Sequence, residues 1–206
     1  MALNSAIVKK FRSAFENKCF TLIAEAYQFS LIKKTIRLNL DENDITQILF
    51  ERINTNPKRI DFRIFATREE HLSKDVEIKK GFADKLPRVD LKMSNITSNL
   101  EFKYFFEAKR LKENDSKLKR SYIDEGMDRF TSKKYPSGCM LGFLLQGNVN
   151  KTVEGINKLL IKDKRNTQTL NSKKNELHKD YFESKHIEIG VLKHLIFDFT
   201  NNCNYN

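Results

Sequence analysis

The chain has 206 residues, with 38 Lys and Arg against 27 Asp and Glu, a formal net charge of +11. That length suits a single domain with one sizeable core, and the basic excess points to a polyanionic partner. No apolar run approaches the ~18 residues of a transmembrane helix, no phosphate-binding glycine loop or GxSxG elbow is present, and Cys19, Cys139 and Cys203 form no disulfide or zinc pattern.

With no apolar signal stretch from Met1 to Phe15, the expectation is a soluble, cytoplasmic protein. Residues 5–38 read as one or two amphipathic helices, with Ile7, Phe11 and Phe15 on the first and Leu22, Ile23, Ala26 and Phe29 on the second. Lys9, Lys10 and Arg12 suit either a solvated helix face or an acidic partner. A stronger helix spans 41–54, opened by acidic residues that complement the helix dipole. Its apolar stripe is Ile45, Ile48, Leu49, Phe50 and Ile53, and Glu42 lies only about 35° from the centre of that stripe. A carboxylate so placed is either an N-terminal charge favourable to the dipole or a site residue turned inward.

Alternation at Ile60, Phe62, Ile64 and Ala66 predicts a first core strand, followed by a charged connection containing His71, which is read as a surface residue. The stretch 87–111 then carries two strands, with 94–99 as a turn-rich link. Val89, Leu91 and Met93 share one face of the first, and Phe102, Tyr104, Phe106 and Ala108 one face of the second. If the two pair as a hairpin, their apolar faces must match, which groups Asp90, Glu107 and Lys109 on the other side. A tight turn at Ser98 and Asn99 would set Asp90 across from Glu107, with side chains roughly 5 Å apart. Two carboxylates so close repel unless a cation lies between them, and oxygen ligands without His or Cys suit Mg²⁺ or Mn²⁺. Lys109 points toward the same place, where it can assist the attacking water and offset charge developing on a phosphate.

The run 109–120 is dominated by Lys and Arg and reads as a solvated loop able to track a phosphate backbone through Lys117, Lys119 and Arg120. Ser121 and Asp124 resemble a capping box opening a helix to about Phe130, with Ile123, Met127 and Phe130 buried and Tyr122 and Arg129 on the side of Gly126, where either can face a substrate. Gly126 within it implies close packing against another backbone. The apolar run 139–145 is a strand covered on both faces, completing a βαβ crossover. A helix at 152–161, a basic polar loop at 162–186, closing strands at 187–189 and 192–199, and a frayed tail at 201–206 complete the chain. His178, His186 and His194 lack metal-motif spacing and are assigned to packing.

Asp90 followed by Glu107-Ala108-Lys109 resembles the D…(D/E)xK signature of the PD-(D/E)XK nuclease superfamily. Val89 rather than proline precedes Asp90, the nearest proline being Pro87. Tyr122, Glu125-Gly126-Met127, Arg129-Phe130, Tyr135 and Met140-Leu141-Gly142 are similar to a YxxxGxxRF…Y…MxGY pattern of a bacterial, defence-associated branch, with Phe143 in place of its usual Tyr. The resemblance covers 41–146. It implies a restriction-endonuclease-like α/β fold of helix, three strands, helix and strand, within a single domain 1–206 that adds N-terminal helices (1–38) and a C-terminal helix, basic loop and strands (147–200). By the same resemblance Asp90 and Glu107 bind catalytic Mg²⁺ or Mn²⁺, Lys109 assists the attacking water, and Glu42 is the additional acid carried on the preceding helix. The expected partner is nucleic acid, DNA favoured, without a membrane, the chain acting as a homodimer or as a subunit of a defence complex. The competing expectation is a catalytically silent binding or scaffold module.

Overall fold

The computed structural model describes residues 5–71, 88–97 and 100–203, so the connection leading to Pro87 and the turn at Ser98 and Asn99 lie outside the described residues. Helices α1 (Ser5–Lys33), α2 (Glu42–Thr55) and α3 (Pro57–Asp61) precede strands β1 (Phe65–His71), β2 (Arg88–Thr97) and β3 (Leu100–Lys112). A helical run follows: α4 (Ser116–Ser121), a π-helical turn (Tyr122–Met127) and α5 (Asp128–Thr131). Strand β4 (Gly138–Gln146), helix α6 (Val149–Lys162), a 3₁₀ turn (Asn166–Gln168), strands β5 (Asn171–Ser172), β6 (Tyr181–His186) and β7 (Gly190–Asp198) and helix α7 (Thr200–Cys203) complete it. The seven strands form one mixed sheet in the order β1-β2-β3-β4-β7-β6-β5, in which β3, β4 and β7 run parallel and the other neighbours antiparallel. The class is α/β, and the sheet is larger than expected.

Each face of the sheet is covered. On one, α1 and α2 bury Phe20, Ile23, Tyr27, Ile45 and Leu49 against Leu91, Tyr104, Phe106 and Phe143. On the other, Tyr122, Met127, Ile156 and Leu160 pack on Phe105, Leu111, Met140 and Ile196. The alternation of β3 divides its side chains between these cores, so Glu107 and Lys109 share the second face with Phe105 and Leu111. Strand β4 is buried from Cys139 to Leu145, as its unbroken apolar run requires.

Several expectations are corrected. Of the strand expected at 60–66 only Phe65 and Ala66 belong to one: Asn56 accepts from the Lys58 N–H and Pro57 stands at the first helical position, so a short helix forms and the strand begins at Phe65. Val89 joins the second core while Leu91 and Met93 join the first, because pairing with β3 ends at Leu91 and Phe106. The predicted loop 162–186 contains β6, whose buried Ser184 and His186 bond to one another and hide the strand from a hydropathy reading. Residues 187–189 are the turn between β6 and β7, with Ile187 exposed. Thr200–Cys203 is a helix with Cys203 buried, where a frayed tail was expected.

Candidate active site

Two carboxyl groups, Asp90 and Glu107, face each other where β2 and β3 stop pairing. The register runs through Leu91 and Phe106, which makes Asp90 and Glu107 the next positions along the two strands, as a turn at Ser98 and Asn99 would set them. Asp90 has left the ladder: its Oδ2 accepts the Ala108 N–H at 2.7 Å. Beside it Glu69 takes the left-handed backbone region (φ 52), which marks the irregularity on β1.

Glu107 is wholly buried, and each oxygen has a partner. Arg129 Nη1 donates to Oε1, Lys109 Nζ lies 3.1 Å from that same atom, and Oε2 accepts from the Tyr135 hydroxyl at 2.9 Å. The Tyr135 hydroxyl is equally close, 2.9 Å, to the Arg88 carbonyl, and its ring stacks on Phe105. Lys109 continues to Glu42, with 2.8 Å between Nζ and Oε1, and the Arg110 N–H donates to the other Glu42 oxygen at 3.1 Å.

Glu42 reaches this place because the start of α2 is capped without it. Asp41 and Asp44 form a reciprocal capping box in which each backbone N–H donates to the other's carboxylate. Glu42 at the first helical position is thus turned inward, while Asp44 and Glu51 are exposed. Its placement near the apolar stripe was the signal.

Electrostatics follow from this crowding. Burial, then the Asp90 charge, push the Glu107 carboxyl up to about 7, against the pull of Lys109 and Arg129. Burial also raises Glu42, in opposition to Lys109. Burial alone would lower the Lys109 ammonium, but Glu107 and Glu42 outweigh it and hold its pKa above the ordinary value, so it stays charged at neutral pH.

The remaining predicted residues divide. Arg129 enters the site through Glu107, having been expected at a nucleic-acid surface. Tyr122 does not face a substrate: it is fully buried, its hydroxyl 2.9 Å from His194 Nδ1, and the chain continues through Ser184 to His186. Lys117 is exposed, whereas the Lys119 ammonium donates to the Glu113 carbonyl and Arg120 pairs with Asp163. Helix α4 begins earlier than Ser121 because Asp115 accepts the N–H groups of Lys117 and Leu118, and Ser121 bonds to Glu125 instead of capping. Tyr135, singled out only within the resemblance pattern, is a site residue whose contact with Glu107 spans 28 positions of sequence.

An open cavity of about 310 Å³, lined by Asp41, Glu42, Asn43, Lys109, Arg110, Leu118, Ser121 and Glu125, reaches Lys109 from outside. A second, about 380 Å³, shares Ser121 and Glu125 with it and extends to Lys117 and Arg120. Among the described residues no three Asp, Glu, His or Cys side chains lie close enough to hold a metal unaided. The donor set of Asp90 and Glu107 nevertheless fits Mg²⁺ or Mn²⁺, which commonly take one or two carboxylates and leave their other positions to water and phosphate. No helix among the described residues is long and apolar enough to cross a membrane. Compared with known proteins, the chain matches no family model, no curated protein and no solved structure.

Proposed function

We propose that this chain is a metal-dependent nuclease that hydrolyses phosphodiester bonds, with DNA the favoured substrate, on a restriction-endonuclease-like core, in restriction or antiphage defence. The observation that carries the reading is the convergence of Asp90, Glu107 and Glu42 on Lys109 from two adjacent strands and a helix start, beside an open cavity. In this reading Asp90 and Glu107 hold Mg²⁺ or Mn²⁺. The cation, when bound, offsets phosphate charge and acidifies water. Lys109, kept cationic and oriented by Glu42, donates to the attacking water or to the oxygen on which charge develops. Tyr135 fixes the Glu107 carboxylate by bonding one oxygen. The net charge of +11 supports a polyanionic substrate.

One observation favours a second reading. Both Glu107 oxygens are bonded within the protein, an arrangement equally suited to a structural ion-pair network in a silent binding or scaffold subunit of a defence complex. The two readings part in one assay: purified protein with plasmid, linear and single-stranded DNA and with RNA, in Mg²⁺, Mn²⁺ or EDTA. The nuclease reading predicts cleavage with metal and none in EDTA. Binding of these substrates without cleavage under any metal would favour the scaffold.

A further inference from the structure

We propose that Arg129 is an exchangeable counter-cation: it occupies Glu107 while no metal is bound, and metal binding releases it to hold a substrate phosphate. This rests on the metal-dependent reading above. A carboxylate offers about four lone-pair positions on its two oxygens. At Glu107, Arg129 and Lys109 take both on Oε1, and Tyr135 takes one on Oε2. One position on Oε2 is left, so a cation can take Oε1, or both oxygens, only if a partner departs.

The three partners differ in their freedom to depart. Lys109 has a side chain 7% exposed and is held from its far side by Glu42. Tyr135 is buried and stacked on Phe105, with its hydroxyl also within 2.9 Å of the Arg88 carbonyl. Arg129 has a side chain 30% exposed and reaches Glu107 from the open side as an ion pair. It is the partner with room to swing.

Charge gives the swing a direction. Arg129 sits where positive charge is required, because Asp90 and Glu107 are forced together at the end of the β2–β3 ladder. A divalent cation meets the same requirement with twice the charge and repels the guanidinium. Once free, that planar fork suits two oxygens of one phosphate, which an ammonium does not match. Arg129 therefore links metal occupancy to substrate capture.

The test is Mn²⁺ titration, read by electron paramagnetic resonance in the absence of nucleic acid, of the wild type, Arg129→Gln and Arg129→Lys. Removing the competing charge in Arg129→Gln should tighten Mn²⁺ binding roughly tenfold or more, on the scale by which a neighbouring charge shifts a carboxylate equilibrium. Arg129→Lys should keep affinity near the wild type, and both variants should raise KM for DNA. An unchanged or weaker Mn²⁺ affinity in Arg129→Gln overturns the exchange while leaving the metal site standing. Absence of Mn²⁺ binding in all three proteins overturns the metal-dependent reading with it. A wild-type measurement needs no variant: the Arg129 Nε–H signal should exchange faster with solvent on adding Mg²⁺, and an unaltered rate contradicts the release.

Discussion

Glu107 is a carboxyl group that the fold makes unfavourable to ionise. Burial and the Asp90 charge raise it to about 7 from the ordinary 4.5. Between those values the unfolded chain has lost the proton and the folded chain keeps it, so stability falls as pH rises through this window and levels off above about 7. Glu107→Gln removes the titration. The variant should therefore gain on the wild type by about 3 kcal/mol from pH 4.5 to 7, measured by chemical denaturation in EDTA; a difference flat with pH would contradict the strained carboxyl. Lys109 stays charged at neutrality, so the proposed mechanism uses it as a donor and not as a base. Lys109→Met should reduce turnover about 10²–10³-fold at saturating metal without weakening metal binding. A variant that cleaves at the wild-type rate but melts early in EDTA would reduce Lys109 to a structural ion pair.

At the scale of elements, the helical run between β3 and β4 carries Arg129 to Glu107, and the glycines within it and at the start of β4 respond differently to added bulk. A Cβ at Gly138 would stand 2.0 Å from the Phe105 carbonyl oxygen, which the β3–β4 pairing fixes. Gly138→Ala should cost ~3 kcal/mol or more. A Cβ at Gly126 would meet the flexible end of Met140 at 2.4 Å and the Lys109 stem at 3.4 Å, side chains and not the backbone expected from sequence. Met140 can turn aside, and a helical Ala regains ~1 kcal/mol of propensity, so Gly126→Ala should lie within about 1 kcal/mol of wild type. Thermal melts that reverse this order would contradict the packing.

The same elements show what a sequence can disclose. The shared face of β2 and β3 was legible because Leu91, Met93, Tyr104 and Phe106 must be buried together, although shifts by two residues keep that face and the register rested on the turn; Glu42 was legible because its helical angle turned a charge inward. Strand β6 was not, since its core positions include Ser184 and His186, polar groups satisfied only by tertiary partners. The strand expected at 60–66 starts only at Phe65 because the Asn56-Pro57 helix start, which the alternation masks, claims the residues before it. Nothing local joins Tyr135 or Arg129 to Glu107, so those contacts emerge only when the crossover returns over the sheet.

At the scale of the whole molecule, the proposed nucleic-acid partner together with the +11 charge predicts binding that falls steeply with salt. Lys117 is exposed beside the cavity that continues from the Lys109 groove, whereas Lys119 and Arg120 are tied to Glu113 and Asp163. Lys117→Ala should lower the log-log salt slope by about one, and an unchanged slope would move the binding surface elsewhere. The most direct test of the Asp90–Glu107–Lys109 centre is Asp90→Asn, because an Asn oxygen can still accept the Ala108 N–H and preserve the strand end while the charge is lost. The measurement is single-turnover cleavage of DNA at saturating Mg²⁺, with melting temperature and DNA affinity read on the same protein. The account predicts cleavage abolished, DNA binding retained or tightened, and melting in EDTA unchanged or raised; Mg²⁺-dependent cleavage at the wild-type rate would contradict it.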